Sequence, residues 1–320
     1  MLVLGRWILL VGLLLLSLFL ALSYGSVPVL PLLQHPDPSQ QQLGWTILWQ
    51  LRLPRLVHVA VVGASLALSG GLLQVLLRNP LADPYILGVS GGASCAALLA
   101  LSLGWQWSSG HVELAAMTGA LVAMAAVLLL CRGASGWQPA RLLLTGAALS
   151  SVWSALITLL LTLSADGQTR GLLFWLMGDF DEPGYPVLLP IVLVISLLLL
   201  WPQRQALNLL AQGELLATTL GVAVKQLSWL LYLTASLLVA AAVTSAGGIG
   251  FIGLITPHLM RLLGWRDHRI LLPALLPAGA ILLLWADTIA RTAWAPQQLP
   301  IGAITALLGA PFFLLLLRRS

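Results

Sequence analysis

The chain has 320 residues, of which 59% are hydrophobic and 8% charged, whereas a soluble domain carries about 25% charged residues. Too few charges are present to build a water-facing surface. The net charge of +5 and pI near 9.9 would suit nucleic acid, but the basic residues are scattered between apolar runs instead of clustering on one face with aromatics. That scatter fits membrane topology.

A bilayer core about 30 Å thick needs roughly 20 apolar residues per helix. Apolar runs bounded by proline, glycine and charged clusters predict about ten spans, over 7–24, 56–77, 86–103, 114–130, 142–163, 187–201, 227–243, 251–263, 270–289 and 301–317. The first run follows Arg6 as a leader would, but its length and the spans behind it make it the first span. Residues 25–50, rich in Pro and Gln, are expected to form an outer loop leading into a short surface helix. Segment 171–178 is too brief to cross and is placed in the outer interface. The connector 203–226 is longer than a helix hairpin needs, and two short helices are expected within it, at 206–210 and 214–220, separated by Gly213 and closed by Gly221. The whole reads as one all-α, polytopic domain over 1–320 with both termini cytoplasmic. That orientation puts eleven of the fifteen basic residues inside and leaves Arg52, Arg55, Arg170 and Arg291 outside.

Ion-driven carriers place Asp, Glu or His deep in their spans, whereas here the acidic residues, His58 and His258 fall near predicted span ends or in loops. The only lysine, Lys225, follows Val224, so the phosphate-cradling G-x-x-x-x-G-K-[ST] run is missing. No H-E-x-x-H, G-x-S-x-G or metal-spaced Cys/His set occurs, and Cys95 and Cys131 read as small buried hydrophobes. No cofactor, metal or nucleic acid is expected, and ATP-driven work needs a partner. A membrane-embedded enzyme acting on lipids is the alternative class.

Two arginines, Arg52 and Arg55, flank Leu53-Pro54 at the outer entrance of the second span, against the orientation rule, and Arg291 lies at the outer end of the ninth, one turn after Asp287. Snorkelling at the interface and docking of an acidic partner both explain them. Residues 78–93, with Asn79, Pro80 and Gly88, join a helix end to a glycine-rich helix start. Residues 246–258, with Gly248, Gly250 and Gly253, have the same character. Both runs suit close helix packing or a pathway wall.

As an ordered set, 52–55, 79–88, 248–258, 267–269, 299–302 and 308–311 resemble the FecCD-type permeases, a family that imports ferric siderophores, haem and vitamin B12. The likeness covers essentially the whole chain. It implies a type II ABC importer permease fold in a bacterial inner membrane, a second permease subunit, two cytoplasmic ATPase subunits and a periplasmic binding protein. By the same likeness Arg52, Arg55 and Arg291 receive the binding protein, and 212–221, with Gly213, Glu214, Leu215 and Gly221, couples to the ATPases. Thr219 stands where arginine is common in the family. Gln138, Pro139 and Ala140 occupy the cytoplasmic gate loop, in place of the small hydroxyl residues of the vitamin B12 members. Asn79, Pro80, Gly88, Gly248, Gly250 and Gly253 become pathway and packing positions. Segments 48–55, 141–144 and 267–273 are most similar to members that carry vitamin B12, so cobalamin is the expected cargo, with a ferric siderophore or haem as the alternative.

Overall fold

The computed structural model describes residues 2–25, 27, 29–105, 110–131, 139–164, 166–180 and 187–317. These form helices α1 (Leu2–Ser23), α2 (Val29–Leu33), α3 (Pro38–Thr46), α4 (Leu53–Leu76), α5 (Val89–Ser102), α6 (His111–Cys131), α7 (Pro139–Leu163), α8 (Asp166–Leu176), α9 (Leu188–Leu200), α10 (Arg204–Gln212), α11 (Glu214–Thr219), α12 (Val224–Ala246), α13 (Ile252–Leu262), α14 (His268–Thr292) and α15 (Ile301–Leu317). No strand occurs among the described residues.

Every one of the ten expected runs contains a helix, and only the run 86–103 is clearly longer than its helix, Val89–Ser102. Among the described residues six helices are long and apolar enough to cross a bilayer alone. The expected spans at α5, α9, α13 and α15 have only 14, 13, 11 and 17 residues. Each of the first three is bounded on one side by a break in the helical backbone. Before α5, Pro84–Leu87 forms a tight 3-10 turn and Gly88 adopts a left-handed φ of 72°. Behind α9 the chain bends by 75° into α10. Ahead of α13, Phe251 holds a φ of 70°, uncommon for a residue with a side chain.

The expected outer loop at 25–50 needs correction. Asp37 caps α3 by accepting from the Ser39 N–H at 2.9 Å, with Pro38 at the first helical position, where its missing N–H costs nothing. A π-helical turn, Ile47–Arg52, then joins α3 to α4, so one helix of 39 residues runs from Pro38 to Leu76.

α4 is the centre of the molecule. It is buried from Val62 to Leu76, packed against α14, α12 and α13, with α1 and α9 at its flanks. In lipid, apolar surface gains little by facing other apolar surface, so helices associate through close van der Waals contact and interhelical hydrogen bonds. Gly63 meets the backbone of Gly279 in α14, and Gly70 meets Gly253 in α13, closely enough that a Cβ at either place would run into the facing backbone. Gly92 and Gly119 do the same between α5 and α6. Polar ties join these crossings: Ser69 donates to the Ala235 carbonyl at 2.9 Å, Trp285 to Ser17 at 3.1 Å and Tyr232 to the Met124 carbonyl at 3.2 Å.

Gly70→Val is expected to force α4 and α13 apart and to cost about 2 kcal/mol or more. Thermal unfolding of the detergent-solubilised protein checks this, with Gly250→Ala as the control, because a Cβ at Gly250 meets open space.

Candidate functional site

Polar residues gather at two opposite ends of the bundle, connected by α4 and α14. At the first end the π turn and the start of α4 carry Arg52 and Arg55. Arg52 is only 6% exposed. Its guanidinium donates to the carbonyls of Leu22, Ser23 and Val27, at and beyond the C-terminal end of α1, where helix carbonyls lack in-helix partners and the helix dipole is negative. Arg55 reaches Asp287 with Nε at 3.1 Å and Nη2 at 2.8 Å, and Nη2 also donates to Gln298 at 3.1 Å. Arg291 donates from Nε to the other oxygen of Asp287 at 2.8 Å and from Nη2 to the Ala21 carbonyl at 3.5 Å. Asp287 is fully buried. Such a carboxylate persists only where several charge-assisted bonds replace its hydration, and removing it would leave two buried cations, which costs about 3–5 kcal/mol.

The structure thus brings the three expected arginines together, but turned inward onto acceptors of their own chain. Asp287 was legible as a partner of Arg291 from the four-residue spacing on one helix. Gln298 carried no such signal.

At the opposite end the expected short helices are α10 and α11. Gly213 between them has a φ of 139° and Gly221 behind α11 a φ of 83°, values that favour glycine because a Cβ would be strained there. Leu207, Leu210 and Ala217 anchor the pair inward. Leu215 and Leu220 point away and are 81% and 59% exposed. Glu214 forms an exposed ion pair with Arg78 at 3.4 Å.

Between the ends, the two glycine-rich runs grip one another. The Asn79 side chain accepts from the Leu81 N–H at 2.9 Å, turning the chain at Pro80. The Asp83 carboxylate accepts from the N–H of Tyr85 at 2.8 Å and from that of Phe251, and the Tyr85 hydroxyl accepts from the Ile249 N–H at 2.6 Å. Gln74 donates to the Leu254 carbonyl at 3.0 Å and receives Arg261. Gly253 packs on Pro84 as well as Gly70, Gly88 lies against Gly146, and Gly248 lies beside Leu176 and Gly302. Gly250 touches nothing that requires its small size. Tyr85 and Gln74 are functional-looking positions that reading the sequence passed over, because their partners are far away in the chain.

α7 is the least enclosed of the long spans, with 11% of its apolar window buried. Its exposed face carries the hydroxyls of Ser151, Ser154, Thr158 and Thr162. Of the expected gate residues, Gln138 lies outside the described residues, and Pro139 and Ala140 open α7. Among the described residues no cluster of three or more His, Cys, Asp or Glu could hold a metal ion.

Comparison with known proteins places this geometry. Vitamin B12 import system permease proteins BtuC of Salmonella typhi and Salmonella newport are 42% identical over 318 residues, covering 98% of this chain and 95% of theirs. A solved structure described as an inward-facing conformation of a metal-chelate type ABC transporter superposes with a TM-score of 0.82 at 33% identity, covering 97% of both chains. PsaBC from Streptococcus pneumoniae shares the fold at a TM-score of 0.56 and 18% identity, covering 86% of this chain and 94% of its own. The model of the FecCD transport family matches residues 11–319, and that match over nearly the whole chain makes this chain a member of the FecCD transport family.

Proposed function

We propose that this chain is the permease subunit of a bacterial ABC importer that moves vitamin B12 across the inner membrane. The observation that carries the proposal is the 42% identity to vitamin B12 permeases over 98% of the chain. The subunit works as one domain, paired with a second copy, two ATPase subunits and a binding protein. ATP hydrolysis belongs to the ATPase subunits, and this chain contributes movement without bond chemistry. A ferric siderophore or haem is the second reading, since the metal-chelate description of the 33%-identical structure covers iron chelates as well as the cobalt chelate cobalamin.

The two polar ends supply the docking faces. Leu215 and Leu220 form an apolar, exposed surface on a helix too short to span, which suits a cleft in an ATPase. Gly213 and Gly221 let α11 swing as a unit. Arg6 donates to the Gly264 carbonyl at 3.2 Å, beside the start of α14, so α1 begins at the α11 end. α15 begins beside Ala290 at the arginine end and passes Phe251, which supports an orientation with both termini on the cytoplasmic side. Arg52, Arg55 and Arg291 then lie at the periplasmic rim. Held by internal acceptors, they act there as a fixed positive region that steers an acidic binding protein. The hydroxyl face of α7, bare in the monomer, suits the pathway between two copies, closed toward the cytoplasm by the segment that holds Gln138, Pro139 and Ala140. Asn79, Pro80, Gly88, Gly248 and Gly253 hold the helices behind that wall, and Gly250 leaves it unobstructed.

Proteoliposomes containing the permease, ATPase and binding protein are expected to accumulate labelled cobalamin on addition of ATP. Uptake of a ferric siderophore or haem with none of cobalamin would reassign the cargo. Arg55→Gln keeps a donor toward Gln298 and removes the charge, so association with the binding protein at low salt should slow by about a factor of three and become less salt-sensitive. Association rates equal to wild type would remove the docking role. Leu215→Asp should release the ATPase on co-purification while membrane insertion persists, and full retention of the ATPase would argue that the exposed leucines are passive.

A further inference from the structure

The segment Asp267-His268-Arg269 stands out in the sequence, and neither docking face uses it. It starts α14. Asp267 is the cap of that helix, accepting from the Arg269 N–H at 2.9 Å, and the same carboxylate oxygen accepts from Nδ2 of Asn208 at 2.7 Å. The Asn208 carbonyl oxygen in turn accepts from the His268 N–H at 2.9 Å and lies 2.6 Å from the His268 ring nitrogen Nδ1. One α10 side chain thus engages the two residues at the start of α14. The Asn208 amide, followed by the Arg269 N–H, holds the Asp267 carboxyl below the usual carboxylate range, as bonds to the charged form do.

From this geometry we propose that Asn208 is the positioning residue through which movement of α10 and α11 reaches α14, and so the opposite end of the membrane. The inference rests on the reading of α11 as the ATPase-facing segment. Other contacts also hold α10 and α11, but they transmit poorly. Leu207 and Leu210 pack apolar surface, which is non-directional and lets neighbours slide. The pair between Arg78 and Glu214 is exposed, with both side chains more than a third accessible, and exposed pairs contribute little. Asn208 makes directional bonds to a helix start. From there α14 runs 25 residues, about 37 Å at 1.5 Å per residue, and toward its far end Asp287 binds both Arg291 and Arg55 of α4.

The test is a charge swap in the complete complex of permease, ATPase and binding protein in proteoliposomes. Asn208→Asp sets two carboxylates against each other. The double variant N208D/D267N exchanges the two side chains and restores a donor facing an acceptor, with a helix cap still in place. Asn208→Asp should retain the ATPase subunit and basal hydrolysis within about twofold, while stimulation of hydrolysis by the binding protein and cobalamin uptake fall by about tenfold. The double variant should recover to within about threefold of wild type. Unaltered stimulation in Asn208→Asp, or a double variant no better than the single one, overturns the proposal. Should Asn208→Asp fail to assemble, Asn208→Ala removes the bonds without repulsion and must give the same split. Assembly lost in both makes Asn208 a folding residue and also overturns it. A wild-type chain that retains no ATPase refutes the importer reading instead, before any variant is compared.

Discussion

Close backbone approach along α4 is the constraint on which the other features rest. A helix buried from Val62 to Leu76 in a membrane protein cannot be held by the exclusion of water from apolar surface, because lipid is as apolar as leucine. It is held by contact distance, and Gly63 and Gly70 set that distance against Gly279 and Gly253. Once α13 sits that close, Pro84 reaches Gly253, Tyr85 reaches Ile249, and Asp83 reaches the left-handed Phe251. The broken start of α5 and the strained start of α13 therefore stabilise one another, which is how two short interrupted helices persist inside an apolar bundle.

Charge is handled by the same economy of exposure. The described ionic groups lie toward helix ends or, like Asp83, are enclosed by backbone N–H donors. At the arginine end a single buried carboxylate binds α4 to α14 through Arg55 and Arg291, while Arg52 neutralises the carbonyl end of α1. Three helices thus converge on one polar knot. At the α11 end the opposite arrangement holds, with apolar leucines facing outward. One end gathers arginines around a buried carboxylate, and the other leaves Leu215 and Leu220 exposed.

These properties suit a bulky cargo. Desolvating a small ion in a pathway without fixed counter-charge would cost several kcal/mol, whereas a large chelate carries its own shell. The proposed corridor, walled by small residues and hydroxyls, would attract such a cargo weakly and let it leave again. Specificity can then reside in a separate binding protein.

Composition and hydropathy by themselves determined that this is a polytopic helical membrane protein, because a charge fraction of 8% leaves no other solvent for the chain. Local chemistry was also legible: glycines bounded α11, and the spacing of Asp287 and Arg291 on one helix face announced their bond. The late start of α5 was not, since hydropathy records solubility in lipid and is blind to the left-handed Gly88 inside an apolar run. The continuity of α3 with α4 escaped for the converse reason, as polar glutamines continue a helix outside the membrane as readily as they form a loop. Only the tertiary structure decided that Arg55 meets Asp287 across 232 residues, that Asn208 grips Asp267 and His268, and that Gly70 rather than Gly250 is irreplaceable. Such pairings depend on which helix faces meet and how closely, and that is settled by packing of the whole bundle, which no local stretch of sequence contains.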